Sequence, residues 1–152
     1  MARNALLIWS SVVFLCALPA LAQDDSARLI RALELKRSDA VAVAEPDPFI
    51  APRIKDRVRV LANLNASAHS IDVIVLYDAL HGVEHRAEFY PKLLNLLRPG
   101  GRVVNIDRSA DLLEAQAVQE FTAAGFHITK TIGLLPFQYF QMFEIGPRTP
   151  QR

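Results

Sequence analysis

IDVIVLYDALHGVEHRAEFYPKLLNLLRPGGRVVNID, Ile71 to Asp107, is the stretch that decides the fold. Ile71 to Tyr77 is apolar except for Asp72 and rich in β-branched residues. A short apolar run of this kind predicts a strand buried on both faces, as in a parallel sheet. The chain turns polar at Asp78. From Phe89 onward the apolar residues recur at Phe89, Leu93 and Leu97, with Leu94 and Leu96 beside them, which is helical spacing. Arg98-Pro99-Gly100-Gly101 predicts the end of that helix, with a glycine to adopt positive φ and a proline that cannot continue it. Val103, Val104 and Ile106 predict a second buried strand, ending at Asp107. Strand, helix and strand compose one right-handed βαβ crossover.

Upstream, the chain opens with a segment that does not read as fold. Arg3 is followed by an apolar run from Ala5 to Leu18, and Ala20-Leu21-Ala22 is a small-x-small pattern before Gln23. Residues 1–22 therefore read as a secretory signal peptide, and the expected location is periplasmic or secreted. A membrane anchor fits less well, because Pro19 and the cleavage pattern follow the apolar run at once. The single cysteine, Cys16, lies inside this run, so the mature chain has neither disulfides nor thiol chemistry. The 17 Lys+Arg stand against 16 Asp+Glu, and removal of Arg3 balances them. No basic excess points to nucleic acid or to an anionic membrane surface after cleavage.

Residues 23–39 predict an N-terminal helix and linker, with Ser26 as N-cap and Leu29, Ile30 and Leu33 on one stripe. This helix is expected at the edge of a sheet. Ala40 to Ala44 predicts a short strand, ended by Glu45-Pro46-Asp47-Pro48, whose prolines force a turn. A short helix within Phe49 to Arg57 and a strand within Val58 to Leu64 follow. Beyond Asp107, Asp111 and Glu114 form a capping arrangement, and Leu113, Ala117, Phe121 and Ala124 line a helix that Gly125 ends. Phe126, Ile128, Lys130 and Ile132 alternate with polar residues and predict a strand with two unlike faces. Leu134-Leu135-Pro136 turns the chain into a last strand, Phe137 to Ile145, with Phe137, Tyr139 and Phe143 on one face. Residues 146–152 form a loose tail. The fold class is α/β: an open, mostly parallel sheet over residues 40–145, closed by a C-terminal antiparallel hairpin.

The wording of these elements resembles class I S-adenosylmethionine-dependent methyltransferases. Ser70 to His81 matches the family form "sxDxVxxxxxxHH", and Leu97 to Asp107 matches "LxPGGxxxxxD". Ala124-Gly125-Phe126 matches "aGF", and LLPFQYFQMFE resembles the "LPxQYFxxF" ending of one predicted-methyltransferase group. The resemblance implies a Rossmann-like methyltransferase sheet, S-adenosylmethionine as cofactor and a small-molecule methyl acceptor. It also implies a glycine-rich turn after the first strand, where backbone amides approach the ligand. The chain departs from the family there: its first glycine is Gly82. AVAVAEPDP aligns either with the family's second strand, which makes Glu45 the ribose-binding acid, or with its first. In both cases the N-terminal half is shortened, and this strand is expected to close up against Val73–Tyr77, because the neighbours' backbone groups would otherwise be unpaired.

The candidate site residues follow from position. Glu45, at a strand's carboxyl end, is the cofactor-binding candidate; its alternative is a solvated turn acid. Asp78 and His81 lie just past the central strand, at the edge where open α/β sheets bind ligands. Asp78 would accept a proton or orient a substrate, and His81 would serve as a base. A turn acid and a surface histidine are the competing reading. His81 and His85 have the spacing of two helical metal ligands, but Gly82 interrupts a regular helix, so no metal is assigned. Asp107 shapes the rim, and Tyr139 is core. No nucleophile elbow or phosphate loop is present. Two functions remain: methyl transfer to a small molecule through a degenerate cofactor site, or a non-catalytic binding domain that retains the sheet. The sequence leaves the oligomeric state unknown.

Overall fold

The computed structural model describes residues 26–44, 50–62, 64–108, 112, 114–135 and 138–146. The elements run in the order expected. A first helix, α1 (residues 26–32), precedes β1 (Ala40–Val43), α2 (Ala51–Ile54), β2 (Arg59–Ala62) and β3 (Ile71–Tyr77). Then come a 3-10 turn at Leu80–Gly82, α3 (Arg86–Leu96), β4 (Leu97–Arg108), α4 (Glu114–Ala123), β5 (Phe126–Leu135) and β6 (Gln138–Ile145). Among the described residues no helix is long and apolar enough to cross a membrane. The signal peptide, the Asp111 cap, Phe137, Glu45 and the tail beyond Gly146 lie outside the described residues.

The six strands form one sheet in the order β2-β1-β3-β4-β6-β5. β2, β1, β3 and β4 are parallel, and β6 and β5 form an antiparallel pair at the far side. β1 sits directly against β3, with Val41 opposite Val73 and Val43 opposite Val75. The shortened N-terminal half has therefore closed the sheet without a gap, as backbone pairing requires.

Helices cover both faces. On one face Leu29 and Leu33, with Ile50 and Ile54, pack on Val41, Val43, Val73, Val75, Val104, Ile106, Phe140 and Met142. The N-terminal helix thus lies on a face of the sheet rather than at its edge. Arg102 fixes its end, donating through Nη2 to the carbonyls of Leu33 (3.1 Å) and Glu34 (2.8 Å). On the other face α3 and α4 cover Ile74, Leu76, Val103 and Phe143. Phe121 anchors α4 there, stacked on Phe143 at 4.0 Å between ring centroids.

Two local expectations are corrected. The segment Arg98–Gly101 does not simply stop a helix. Leu97 already pairs with Ile71, and the next registered pair is Val73 with Arg102, so the segment bulges out of a continuing strand. Gly100 takes φ +77 in the bulge, and a Cβ on Gly101 would stand 2.9 Å from the Arg98 carbonyl. Asp72, the polar interruption of β3, fastens it: Oδ2 accepts from the Ala40 amide and from Arg98 Nη1, both at 2.8 Å. In β5, Thr129 is an extra residue between Ile128 and Lys130, which oppose consecutive residues of β6. The bulge puts Phe126 and Ile128 on the α4 face but Ile132 on the α1 face, so the strand does not keep one apolar side.

Candidate functional site

Register alone assembles the candidate site. Leu76 lies opposite Asn105 and Tyr77 opposite Ile106, so Asp78 and Asp107 leave β3 and β4 side by side at the carboxyl edge. The Asp78 amide donates to the Ile106 carbonyl at 2.7 Å, and its φ of +51 then breaks the strand. The 3-10 turn follows, pinned by fully buried Leu80, and it returns His81 over the strand ends. His81 Nδ1 stands 3.5 Å from Asp107 Oδ1 and 3.7 Å from Asp78 Oδ1. Arg108 Nε donates to Asp78 Oδ1 at 3.1 Å.

The two carboxylates occupy unlike surroundings. Asp78 is about one-third exposed, at 36%, whereas the Asp107 side chain is 0% exposed. Asp107 Oδ1 accepts from the Arg108 amide at 2.8 Å, but Oδ2 is buried with no partner. Burial pushes the Asp107 carboxyl above the ordinary carboxylate range, opposed by the Arg108 amide and by His81. Behind it the same sheet face stays polar for one more rung. Asn105 lies opposite Gln141 and Asp107 opposite Tyr139, and all four side chains are buried. The Asn105 amide, Gln141 Oε1 and the Tyr139 hydroxyl have no hydrogen-bond partner, although Gln141 Nε2 donates to the Glu114 carbonyl at 3.0 Å. Burial, and then the nearby Asp107 charge, push the Tyr139 phenol upward.

Of the residues chosen from sequence, Asp78 and His81 are brought together at this edge. Glu45 lies outside the described residues; β1, which precedes it, ends at the same edge, with the Ala44 amide bonded to the Val75 carbonyl at 3.0 Å. His85 is exposed ahead of α3 and does not join the group. Tyr139 is buried as expected, although its hydroxyl is unpartnered. The sequence reading missed two members. Asp107, expected only to shape the rim, stands at that edge with a fully buried side chain, and Arg108, to which the sequence assigns no role, joins through Asp78. The alternation Asn105, Asp107 against Val104, Ile106 was the available signal, since it places two polar side chains on one face of a buried strand.

Comparison with known proteins fits this architecture. No protein-family model and no curated protein matches the sequence. Solved structures do match in fold. A SAM-dependent methyltransferase from Aquifex aeolicus superposes with a TM-score of 0.63 at 10% identity, covering 78% of this chain and 88% of that one. The 1,6-didemethyltoxoflavin-N1-methyltransferase of Burkholderia thailandensis, solved with 1,6-didemethyltoxoflavin and S-adenosylhomocysteine, gives 0.61 at 16% identity, covering 84% and 79%. The SAH complex of DhpI gives 0.61 at 14% identity, covering 90% of each chain. The fold is that of the class I SAM-dependent methyltransferases.

Proposed function

We propose that this chain is an exported methyltransferase-type protein that moves a methyl group from S-adenosylmethionine to a small molecule at the carboxyl edge of β3 and β4. The convergence of Asp78, His81 and Asp107 at that edge carries the reading, because open α/β sheets bind ligands there. Asp78 orients the acceptor. His81 takes its proton through the ring nitrogen that does not face the carboxylates, with Asp107 behind the ring. Holding acceptor and methyl donor in line is the main catalytic device. Glu45 is the residue proposed to hold the cofactor ribose.

The cofactor half is degenerate in this proposal. The chain has no glycine before Gly82, so it lacks the turn that presents backbone amides to the ligand. Two lost hydrogen bonds to a charged group cost about 3–6 kcal/mol, which weakens binding about a hundredfold to more than ten-thousandfold. Calorimetric titration with S-adenosylmethionine should therefore give no measurable binding at about 50 micromolar ligand. Residual binding at higher concentration should fall further in Glu45→Ala. Tight binding that ignores this substitution would mean that another part of the chain has rebuilt the cradle. The missing turn also favours a second reading, a non-catalytic binding domain, which a complete absence of binding at millimolar ligand would select. Export has its own check: N-terminal sequencing of the exported protein should begin at Gln23.

A further inference from the structure

We infer that Asp78, His81 and Asp107 form a binding site for a first-row divalent cation, manganese or zinc in class, with His81 Nδ1 and one oxygen from each carboxylate as ligands. These three donor atoms come from two segments, the turn after β3 (Asp78 and His81) and the end of β4 (Asp107), and all lie within 4.8 Å of one another. The two distances from Nδ1, 3.5 and 3.7 Å, approach the donor separations of about 3–3.6 Å around an ion with bonds of roughly 2.0–2.2 Å. Small side-chain rotations close the difference. One imidazole with two carboxylates suits manganese or zinc better than magnesium or calcium, which favour all-oxygen sets.

The state of Asp107 is a second and separate indication. Its side chain is 0% exposed, Oδ1 accepts from the Arg108 backbone amide, and Oδ2 has no partner among the described residues. The only cationic group that faces this buried carboxylate among the described residues is the His81 ring, 3.5 Å away on the Oδ1 side. A carboxylate so placed is costly to bury, and a bound cation offsets that cost. Arg108 does not discharge this role, since its guanidinium reaches Asp78. It instead stands where it would compete with a cation for the Asp78 oxygen. Asp78 and His81 are each about one-third exposed, at 36% and 33%, so water can complete the coordination.

The site goes beyond methyl transfer and changes the part played by His81. A cation on Nδ1 leaves the ring proton on Nε2, so the loaded protein presents a hydrogen-bond donor there. The role of base belongs to the cation-free chain.

The test is titration of the purified chain with zinc by calorimetry and with cobalt by visible absorption, with no methyl donor present. One cation per chain should bind. His81→Ala should weaken it by at least the roughly tenfold that loss of a mere outer partner costs, and Asp107→Asn likewise. His85→Ala should leave it unchanged, and Arg108→Gln should tighten it. His81 is partly exposed, so its alanine variant keeps the test meaningful even where Asp107→Asn fails to fold. Absence of saturable one-to-one binding would overturn the site, as would equal losses in the His81 and His85 variants. Neither result bears on cofactor binding, which the calorimetry with S-adenosylmethionine reads separately.

Discussion

Two groups of charged side chains, one between α3 and α4 and one at the carboxyl ends of β3 and β4, differ in how completely they are paired. The first joins α3 to α4. Glu120 accepts from Arg86 Nε (2.7 Å) and Nη2 (3.0 Å), from the Tyr90 hydroxyl (2.7 Å) and from Gln116 Nε2 (2.9 Å). Each carboxylate oxygen has two donors. The second group, Asp78, His81, Asp107 and Arg108, is looser, with side-chain separations of 3.1–3.7 Å and an unpartnered buried oxygen. A saturated network fixes architecture, because every member would lose a partner if the helices moved. An unsaturated one holds binding capacity in reserve. The difference separates a clamp from a site without reference to any ligand.

The largest expected effect breaks the clamp. Glu120→Ala should lower the unfolding free energy by about 2 kcal/mol, the charged hydrogen bonds being discounted for partial exposure. Denaturant unfolding measures this directly. Its pH dependence has a defined sign. Arg86, followed by Tyr90 and Gln116, holds the Glu120 carboxyl at about 2. A depressed carboxylate contributes stability that is present above its unfolded value, about 4.3, and lost as pH falls toward about 2. Burial, and then Glu120, push the Tyr90 phenol upward. A raised phenol contributes stability below its unfolded value, about 10, and loses it as pH rises beyond. Wild-type stability should therefore decline at both extremes, and Glu120→Gln should flatten the acid side. An unchanged acid slope in that variant would remove the clamp from the account.

How far each region was legible in the sequence follows from the range of its interactions. β3, α3 and β4 were readable because burial imposes local periods of two and of about 3.6 on the chain. Asp78 and His81 were readable as site residues because a strand's end fixes where the next side chains emerge. The bulges at Arg98–Gly101 and Thr129 were not, since register depends on a partner strand far away in sequence. The clamp was equally hidden: Arg86 and Glu120 meet only after two helices dock on one sheet face. Burial of Asp107 likewise depends on β6 arriving beside β4, with Tyr139 opposite it. A strand-end aspartate in isolation carries no sign of this.

A smaller effect, of the opposite sign, is expected in the site. Asp107→Asn keeps the shape of the side chain and removes a buried charge that only the His81 ring faces, at 3.5 Å, among the described residues. The cation-free protein should gain about 1 kcal/mol at neutral pH, read as a higher denaturant midpoint with an unchanged slope. A loss of that size would mean that the carboxylate is paired as firmly as Glu120, and the contrast between the two regions would fail.

The smallest effect belongs to Arg108→Gln. Its guanidinium is about half exposed, at 49%, and the Asp78 it meets is 36% exposed, so water screens the pair on both sides. Exposed pairs of this kind contribute about 0–1 kcal/mol, and the backbone amide of residue 108, which bonds Asp107, survives the substitution. Stability should therefore change by no more than about 0.5 kcal/mol. The same should hold for Asp78→Asn, and the coupling between the two residues, read from the double variant, should stay within the roughly 0–1 kcal/mol of an exposed pair. The clamp should behave differently at the same level of scrutiny. Arg86→Gln removes two donors from a carboxylate that three side chains share, so its cost should exceed that of Arg108→Gln by about 1 kcal/mol or more. Equal costs for the two arginines would show that pairing geometry does not distinguish clamp from site in this protein.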